Sequence, residues 1–354
     1  CGSGCARDGS MLARRLLVTG GFVATIALGC GASSADPGTA TDDQTSSGLS
    51  RDFGKHPAIV EFDDGDHIYA LSDPHGGYET LLTLLAGNHL IDRADGDPTK
   101  PKWTGGAATL IVAGDLIDKG AKSLEVIDLV RSLESQAPHA GGRVIATMGN
   151  HEAEFLLDPK NDKATSTGKD ATGIDQELSA QSIAPKDLAA GKDAEGRGKW
   201  LAALPLGVRV KKWFFAHGGN TQKLSIKDLG KKLESSLAHN GFGDKDITGN
   251  DSILEAQAWY GNPKDGNAGQ KEADALGVSH IVFGHDPGAF GEHGAIKQSK
   301  NGILVKIDVA MGLHEGSGSG VSPGALLHVS TKGHDTAEVL DEKGHASPLG
   351  APGN

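Results

Sequence analysis

The chain has 354 residues, of which 37% are hydrophobic and 23% charged, with 52 glycines, a composition typical of one large globular domain or two small ones with many tight turns. Its formal net charge is −12, which argues against a nucleic-acid-binding surface because such surfaces are normally basic. The three cysteines, Cys1, Cys5 and Cys30, all lie near the amino end, so the rest of the chain has neither a disulfide framework nor a cysteine zinc site.

The amino end predicts an export signal over residues 11–30. Arg14 and Arg15 form a basic region, and residues 16–28 form an apolar region that is short for a membrane span. Small residues before Cys30 resemble a bacterial lipoprotein box, which predicts that Cys30 carries a lipid on a periplasmic or cell-surface protein. A plain secretory signal, giving a secreted or periplasmic protein, and a retained anchor are the alternatives.

The rest of the chain divides by composition. Residues 31–55 are rich in Ser, Thr, Gly and Asp and are expected to form a flexible linker. Residues 56–332 are expected to form the folded domain, in which 157–203 are a polar, partly helical insertion. Residues 333–354 are expected to be a loose polar tail.

Six short apolar runs in the domain predict buried strands. In chain order, they begin at His67, Ala108, Arg143, Val210, His280 and Gly302. Apolar residues at helical spacing in 78–91 and 123–133 predict two helices between the first three strands. Residues 56 to about 155 are therefore expected to form a parallel β-α-β-α-β unit. The second half is expected to be more mixed, without regular helices between its strands.

A residue of a metal-ligand type follows each of the first five predicted strands. These residues are Asp73, Asp115, Asn150, His217 and His285. One such residue means little, because Asp and Asn are common in turns. Five such residues at the carboxyl ends of strands, the edge of an α/β sheet where binding sites form, predict a metal site. Asp308 follows the sixth strand and either caps this site or forms a turn, and His293 and His314 are expected at the surface.

Five motifs occur in an order that resembles a known family. They are DPHG from Asp73, GDLIDKG from Gly114, GNHE from Gly149, HGG from His217 and GH from Gly284. This order resembles the calcineurin-like metallophosphoesterases, and within them the PPP-type phosphoprotein phosphatases of the bacterial and Shewanella-like branch. The resemblance covers about residues 65–312. It implies an α/β fold, a β-sandwich flanked by helices in the order α-β-β-α.

The resemblance also implies a site with two divalent metal ions, which the sequence allows to be Mn, Fe, Zn or Mg. The first ion would be held by Asp73, His75 and Asp115, and the second by Asp115, Asn150, His217 and His285. A metal-bridging hydroxide would be the nucleophile and His151 the general acid, oriented by Asp118. Lys119 stands where the family has an arginine that binds phosphate.

The cations around the phosphate depart from the family. Lysine is a point charge, whereas arginine offers a planar fork to two phosphate oxygens. The family's second phosphate-binding arginine has no counterpart, because no arginine follows Arg209 and the segment 258–262 carries no cation. Arg143, Arg197 and Arg209 are the candidates to replace it.

The sequence therefore predicts a metal-dependent phosphomonoesterase that acts on a phosphorylated substrate, with phosphoproteins (Ser/Thr or Tyr) as the expected class. One alternative keeps the metals and changes the substrate to a dinucleoside tetraphosphate or a nucleotide or sugar phosphate. Another is a metal-binding interaction module without catalysis. Nucleic acid is not an expected partner, and membrane contact is expected only through a lipid on Cys30.

Overall fold

A computed structural model describes residues 49–93, 96–165, 172–291, 293–311 and 321–350. The predicted signal, Cys30 and His314 lie outside these residues. Within them, no helix combines the length and the apolar character needed to cross a membrane.

The described residues contain twelve strands in two six-stranded mixed sheets. Strands β1 to β12 are, in order, Ile59–Phe62, His67–Leu71, Thr109–Ala113, Arg143–Thr147, Gly207–Val210, Trp213–Ala216, His280–Phe283, Lys297–Gln298, Leu304–Lys306, Leu326–Ser330, Thr336–Leu340 and Ala346–Pro348. One sheet has the order β1-β5-β6-β7-β9-β8 and the other β12-β11-β10-β2-β3-β4. Apolar side chains from both sheets and the helices form one buried cluster.

Nine α-helices lie in the same described ranges. Helices α1 to α9 are, in order, Tyr78–Gly87, Ser123–Gln136, Asn150–Leu157, Ile174–Ala180, Pro185–Ala189, Arg197–Ala203, Ile226–Asn240, Lys245–Thr248 and Gln270–Leu276. Helix α1 buries Leu81, Leu84 and Leu85 on one stripe, as its spacing predicts. Helices α4, α5 and α6 lie in the polar 157–203 segment, which is partly helical as expected.

The predicted α/β fold is confirmed, and so is the parallel unit. All six predicted strands form, as β2, β3, β4, β6, β7 and β9. Strands β2, β3 and β4 pair in parallel, with α1 and α2 as the connections between them. The reason is local: each strand is a continuous apolar run, and each connection carries a helical stripe of leucines.

The expectation of a second half without regular helices is wrong. Helix α7 has 15 residues and lies between β6 and β7. Ser225 begins it, because its side-chain oxygen accepts a hydrogen bond from the main-chain N–H of Asp228. Leu229 and Leu233, four residues apart, are buried on one face. This spacing is present in the sequence, so the helix could have been predicted from it.

The expectation of a loose tail from residue 333 is also wrong. Residues 336–340 form β11 and 346–348 form β12, which extend the second sheet through antiparallel pairing with β10. Strand β10 was not predicted either, although it pairs directly with β2. Strand β11 lies near the edge of its sheet and buries little beyond Leu340, so its sequence can be polar and still form a ladder.

Candidate active site

The carboxyl ends of six strands bring the predicted site residues together. Asp73, Asp115 and Asn150 follow β2, β3 and β4 of one sheet, whereas His217, His285 and Asp308 follow β6, β7 and β9 of the other. The two sheets meet at this edge, where His217 Nδ1 donates to the main-chain oxygen of Ala113 at 3.0 Å. The site therefore lies between the sheets, with ligand-type residues from both.

The main chain of these loops is strained. The residues with a positive φ include Asp73 at 56°, His75 at 43°, Asp115 at 53°, Asp118 at 66°, Lys119 at 60° and His285 at 66°. Such a conformation costs a non-glycine residue about 1–3 kcal/mol, and it tends to occur at functional sites. Gly149 permits the close approach of two loops, because a Cβ there would lie 2.1 Å from Asp115 Oδ1.

His75, Asp115 and His151 form the first group that could hold a metal ion. Asp115 Oδ2 lies 3.4 Å from His75 Nε2 and 3.8 Å from His151 Nε2. Asp73 Oδ1 lies 3.8 Å from His75 Nε2. His75 Nδ1 donates to the main-chain oxygen of Ile117 at 2.9 Å, so Nε2 carries the lone pair that faces the carboxylates.

Asp115, His217 and His285 form the second group, so Asp115 belongs to both. His217 Nε2 lies 3.3 Å from Asp115 Oδ1 and 2.9 Å from Asn150 Oδ1. His285 Nε2 donates to the main-chain oxygen of Glu255 at 3.1 Å, which leaves its Nδ1 without a proton. Asp73 Oδ2 accepts from the main-chain N–H of His285 at 3.1 Å and joins the two groups.

The donor set fits divalent cations. Because His217 Nδ1 donates to a carbonyl, its Nε2 is an acceptor, and it faces the oxygens of Asn150 and Asp115. Acceptor atoms that face one another with no hydrogen atom between them form the surroundings that a bound cation requires. Imidazole, carboxylate and amide oxygen are the ligands that such metal ions take.

Burial keeps the ligand histidines neutral, as metal binding requires. Burial lowers the pKa of His217 to about 4 and that of His285 below its usual value. Burial, reinforced by the Lys119 charge, also lowers the pKa of His75. Asp115 behaves in the opposite way: burial alone would raise its pKa, but His217, His151 and His75 hold it well below its usual range. The shared residue is therefore ionised.

His151 and Asp118 form a hydrogen-bonded pair beside the first group. His151 Nδ1 donates to Asp118 Oδ2 at 2.8 Å. The other oxygen, Oδ1, accepts from the main-chain N–H of Ile174 at 3.0 Å, so the 157–203 segment also fixes this carboxylate. Burial opposes protonation of His151, but Asp115 and Asp118 outweigh it and raise the pKa of His151.

The cations named from the sequence lie in different places. Lys119 is at the site, where its Nζ donates to His75 Nε2 at 2.7 Å. The three arginines are bound by carboxylates elsewhere. Arg143, at the start of β4, pairs with Asp64 at 2.8 Å, Arg197 makes two hydrogen bonds to Asp128, and Arg209 pairs with Glu61 and Asp63.

Asp308 and the 258–262 segment complete the surroundings. Asp308 is buried, and it accepts from the main-chain N–H of Ala310 at 2.8 Å. Burial raises the pKa of Asp308 to about 6, and Asp308 in turn helps burial to raise the pKa of Asp73. It therefore lies close to the site as well as in a turn. The 258–262 segment, where the sequence has no cation to replace the family's second arginine, contains Trp259. The indole N–H of Trp259 donates to the main-chain oxygen of Gly218 at 2.7 Å.

Glu152 is a site residue that the sequence interpretation missed, although it belongs to the GNHE motif. Its side chain is buried and accepts four main-chain N–H groups from both loops that hold Asp115 and Asn150. The donors are Asp115, Leu116, Ile117 and Gly149. Burial and Asp115 raise the pKa of Glu152 to about 7, and the N–H donors act against that rise. Its carboxylate ties the two loops together.

Replacing Glu152 by glutamine is expected to destabilise the fold. The amide oxygen can satisfy one pair of N–H donors, but the amide nitrogen would face the other pair, and each buried group left unpaired costs about 1–3 kcal/mol. We expect the free energy of unfolding to fall by about 2–4 kcal/mol in denaturant titrations of the metal-free protein. Glu195→Gln, at an exposed position, is the control, and equal stability of the two variants would contradict this role.

Comparison with known proteins agrees with this geometry. The family model for calcineurin-like phosphoesterases matches residues 67–289, more than half of the chain. Shewanella-like protein phosphatase 2 of Arabidopsis thaliana is 31% identical over 93 residues, which cover 26% of this chain and 22% of the relative. A symmetrical bis(5'-nucleosyl)-tetraphosphatase of Nitrosococcus oceani is 28% identical over 253 residues, which cover 67% of this chain and 74% of the relative.

Solved structures show the same fold. The crystal structure of a cold-active protein-tyrosine phosphatase of a psychrophilic Shewanella species has a TM-score of 0.60 and 19% identity, and the match covers 83% of this chain and 82% of that one. The chain matches only about a fifth of the length of the Arabidopsis relative. The family match spans all the predicted ligands, and the chain belongs to the calcineurin-like phosphoesterase family.

Proposed function

We propose that the protein is a metal-dependent phosphomonoesterase whose substrates are phosphoproteins. The observation that carries this proposal is the pair of donor groups that share Asp115, with the His151–Asp118 pair beside them. Two divalent cations bound by these groups would supply positive charge to phosphoryl oxygens and acidify a water molecule. A protein that only binds metal has no need of a proton donor at the same place.

The chain's own residues supply the remaining functions. His151 is held by Asp118 through Nδ1, so its Nε2 proton is directed toward the shared carboxylate and is available to a leaving oxygen. Lys119 donates to the phosphoryl group in place of the arginine fork. Asp73, Asp115 and Asn150 from one sheet, with His75, would hold the cations against His217 and His285 from the other.

The substrate class is argued from the charges near the site. A tetraphosphate carries several negative charges, whereas the arginines that could bind them pair with carboxylates away from the site. One phosphoryl dianion beside Lys119 and two cations is the better match. The second candidate remains dinucleoside tetraphosphate hydrolysis, which is favoured by the relative that matches the larger share of this chain.

A substrate panel tests the proposal. The purified protein would be assayed with Mn²⁺ and with EDTA on p-nitrophenyl phosphate, on phosphoserine, phosphothreonine and phosphotyrosine peptides, and on diadenosine tetraphosphate. We expect metal-dependent release of phosphate from the monoesters and peptides. Turnover of the tetraphosphate alone would replace this proposal with the second candidate. No turnover by a folded, metal-loaded protein would support the non-catalytic alternative.

Asp118→Asn is expected to move the alkaline limb of the pH–rate profile to lower pH. Asp118 raises the pKa of His151, so its neutral replacement lowers that pKa, and the protonated acid is lost at a lower pH. The profile of kcat on a phosphoserine peptide measures the shift. Ser123→Ala is the control, because Ser123 accepts from the main-chain N–H of Asp118, whereas the Asp118 carboxylate is bound by His151 and the main-chain N–H of Ile174. An unmoved limb in Asp118→Asn would contradict the assignment.

We propose, from the sequence alone, that the protein is exported and anchored by a lipid on Cys30. Cys30→Ala would then release the protein from the membrane fraction of a bacterial host. A wild-type protein already found in the soluble fraction would favour the plain secretory signal.

A further inference from the structure

The 157–203 segment places a lysine between two carboxylates beside a candidate metal ligand. Lys163 Nζ donates to Glu154 Oε1 at 2.7 Å and lies 3.5 Å from Glu255 Oε1. The main-chain oxygen of Glu255 accepts from His285 Nε2 at 3.1 Å, and its Oε2 lies 4.0 Å from the same nitrogen. Glu255 therefore links Lys163 to His285.

Lys163 is also connected to the other side of the site through helix α3, because it pairs with Glu154 on that helix. Glu154 lies on α3, four residues after Asn150 and three after His151. Residues at these spacings share one face of a helix. Lys163 is thus bound to carboxylates on two sides of the site, one on the helix of the proton donor and one beside His285.

The charge of Lys163 is accessible and acts on the site. Its side chain is 35% exposed. Burial opposes the charge, but Glu154 and Glu255 outweigh it and raise the pKa of Lys163. Burial and the contact with Glu255 raise the pKa of Glu154, and the Lys163 ammonium acts against that rise. Lys163 also adds to the effect of burial in lowering the pKa of His285.

We propose that Lys163 is a second phosphate-facing cation of this site, supplied by the 157–203 segment and acting with Lys119. Arg143, Arg197 and Arg209 pair with carboxylates elsewhere, so they do not take this place. The flexible side chain of a lysine can move from its carboxylate partners to a phosphoryl oxygen. Its point charge constrains the orientation of the phosphoryl group less than the planar fork of an arginine does. The inference rests on the proposed function and concerns how the same site binds the phosphoryl group.

The test measures binding of inorganic phosphate by calorimetry to the whole protein loaded with Mn²⁺, together with KM for p-nitrophenyl phosphate. Lys163→Met is expected to weaken phosphate binding about tenfold and to raise KM similarly, because a charged hydrogen bond is lost at a partly exposed position. Lys163→Arg keeps the charge and is expected to stay within about threefold of the wild type. Lys160→Met, an exposed lysine of the same segment, is the control, and the metal content of each variant is checked.

Glu154→Gln separates this role from a structural one. If Lys163 only braces the segment against α3, Lys163→Met and Glu154→Gln break the same ion pair and weaken phosphate binding together. In the proposed role they act in opposite directions, because Glu154→Gln removes a negative charge and releases the ammonium. We expect about a twofold to threefold gain in phosphate affinity for Glu154→Gln.

The outcomes separate the two proposals. Unchanged phosphate affinity in Lys163→Met, parallel losses in both variants, or no phosphate binding by the metal-loaded wild type would each overturn the role of Lys163. Phosphate binding that depends on Lys163 in a protein without turnover would support this role and overturn only the phosphatase proposal. Turnover and phosphate binding that are unchanged in Lys163→Met would support the phosphatase proposal and overturn only the role of Lys163.

Discussion

Replacing Asp115 by asparagine is expected to reduce kcat/KM for p-nitrophenyl phosphate by at least about 10³-fold, because bound cations contribute several kcal/mol to phosphoryl transfer. Asp115 belongs to both donor groups, with Oδ2 3.4 Å from His75 Nε2 and Oδ1 3.3 Å from His217 Nε2. Asparagine keeps the shape but loses the negative charge, and its amide hydrogens would face a ring nitrogen. Both cation sites should weaken together.

Metal content gives this prediction a readout that does not depend on turnover. We expect Asp115→Asn to retain fewer than two metal ions per chain after dialysis, whereas Asp162→Asn, at an exposed position, should retain the wild-type content and activity. The main-chain N–H of His151 donates to Asp115 Oδ1 at 3.1 Å, and an asparagine oxygen can still accept it, so the fold should survive. Full activity in Asp115→Asn would show that the shared carboxylate is not required for catalysis and would contradict this prediction.

Five of the six ligands could be predicted because each lies within three residues of the end of an apolar strand, whereas His75 was named only through the family resemblance. A run such as 109–113 identifies both the strand and the place where Asp115 must emerge from it. The sequence did not show that two different sheets present these ends to each other. That arrangement depends on contacts such as the one between Ala113 and His217, which are 104 residues apart.

The residues missed are those whose role depends on contacts rather than on a pattern. Glu152 was visible in its motif, but its function lies in four main-chain donors from two loops. Lys163 lies in a polar segment without periodicity, and one of its carboxylates, Glu255, is 92 residues away. By residue type, the candidates for the second phosphate-binding cation were Arg143, Arg197 and Arg209. They are excluded only by the structure, in which each pairs with carboxylates away from the site. Helix α7 is different, because its stripe of leucines was present in the sequence and could have been recognised.

His151→Asn is expected to affect substrates according to their leaving groups. His151 lies with Nδ1 2.8 Å from Asp118 and Nε2 3.8 Å from Asp115, which suits a proton donor beside the reacting phosphate. For a phosphoserine peptide the leaving oxygen must gain a proton, so we expect kcat to fall by about 10²–10⁴-fold. For p-nitrophenyl phosphate the leaving group is already a stable anion, so the loss should be far smaller.

The ratio of the two losses distinguishes a proton donor from a metal ligand. His151 is one of the three residues of the first donor group, so it could instead hold a cation. In that case His151→Asn would lower metal content and slow both substrates equally. A large loss on the peptide, a small loss on the nitrophenyl ester and unchanged metal content would assign His151 as the general acid. Asp118→Asn should then show the same dependence on leaving group to a smaller degree, because it weakens the acid without removing it.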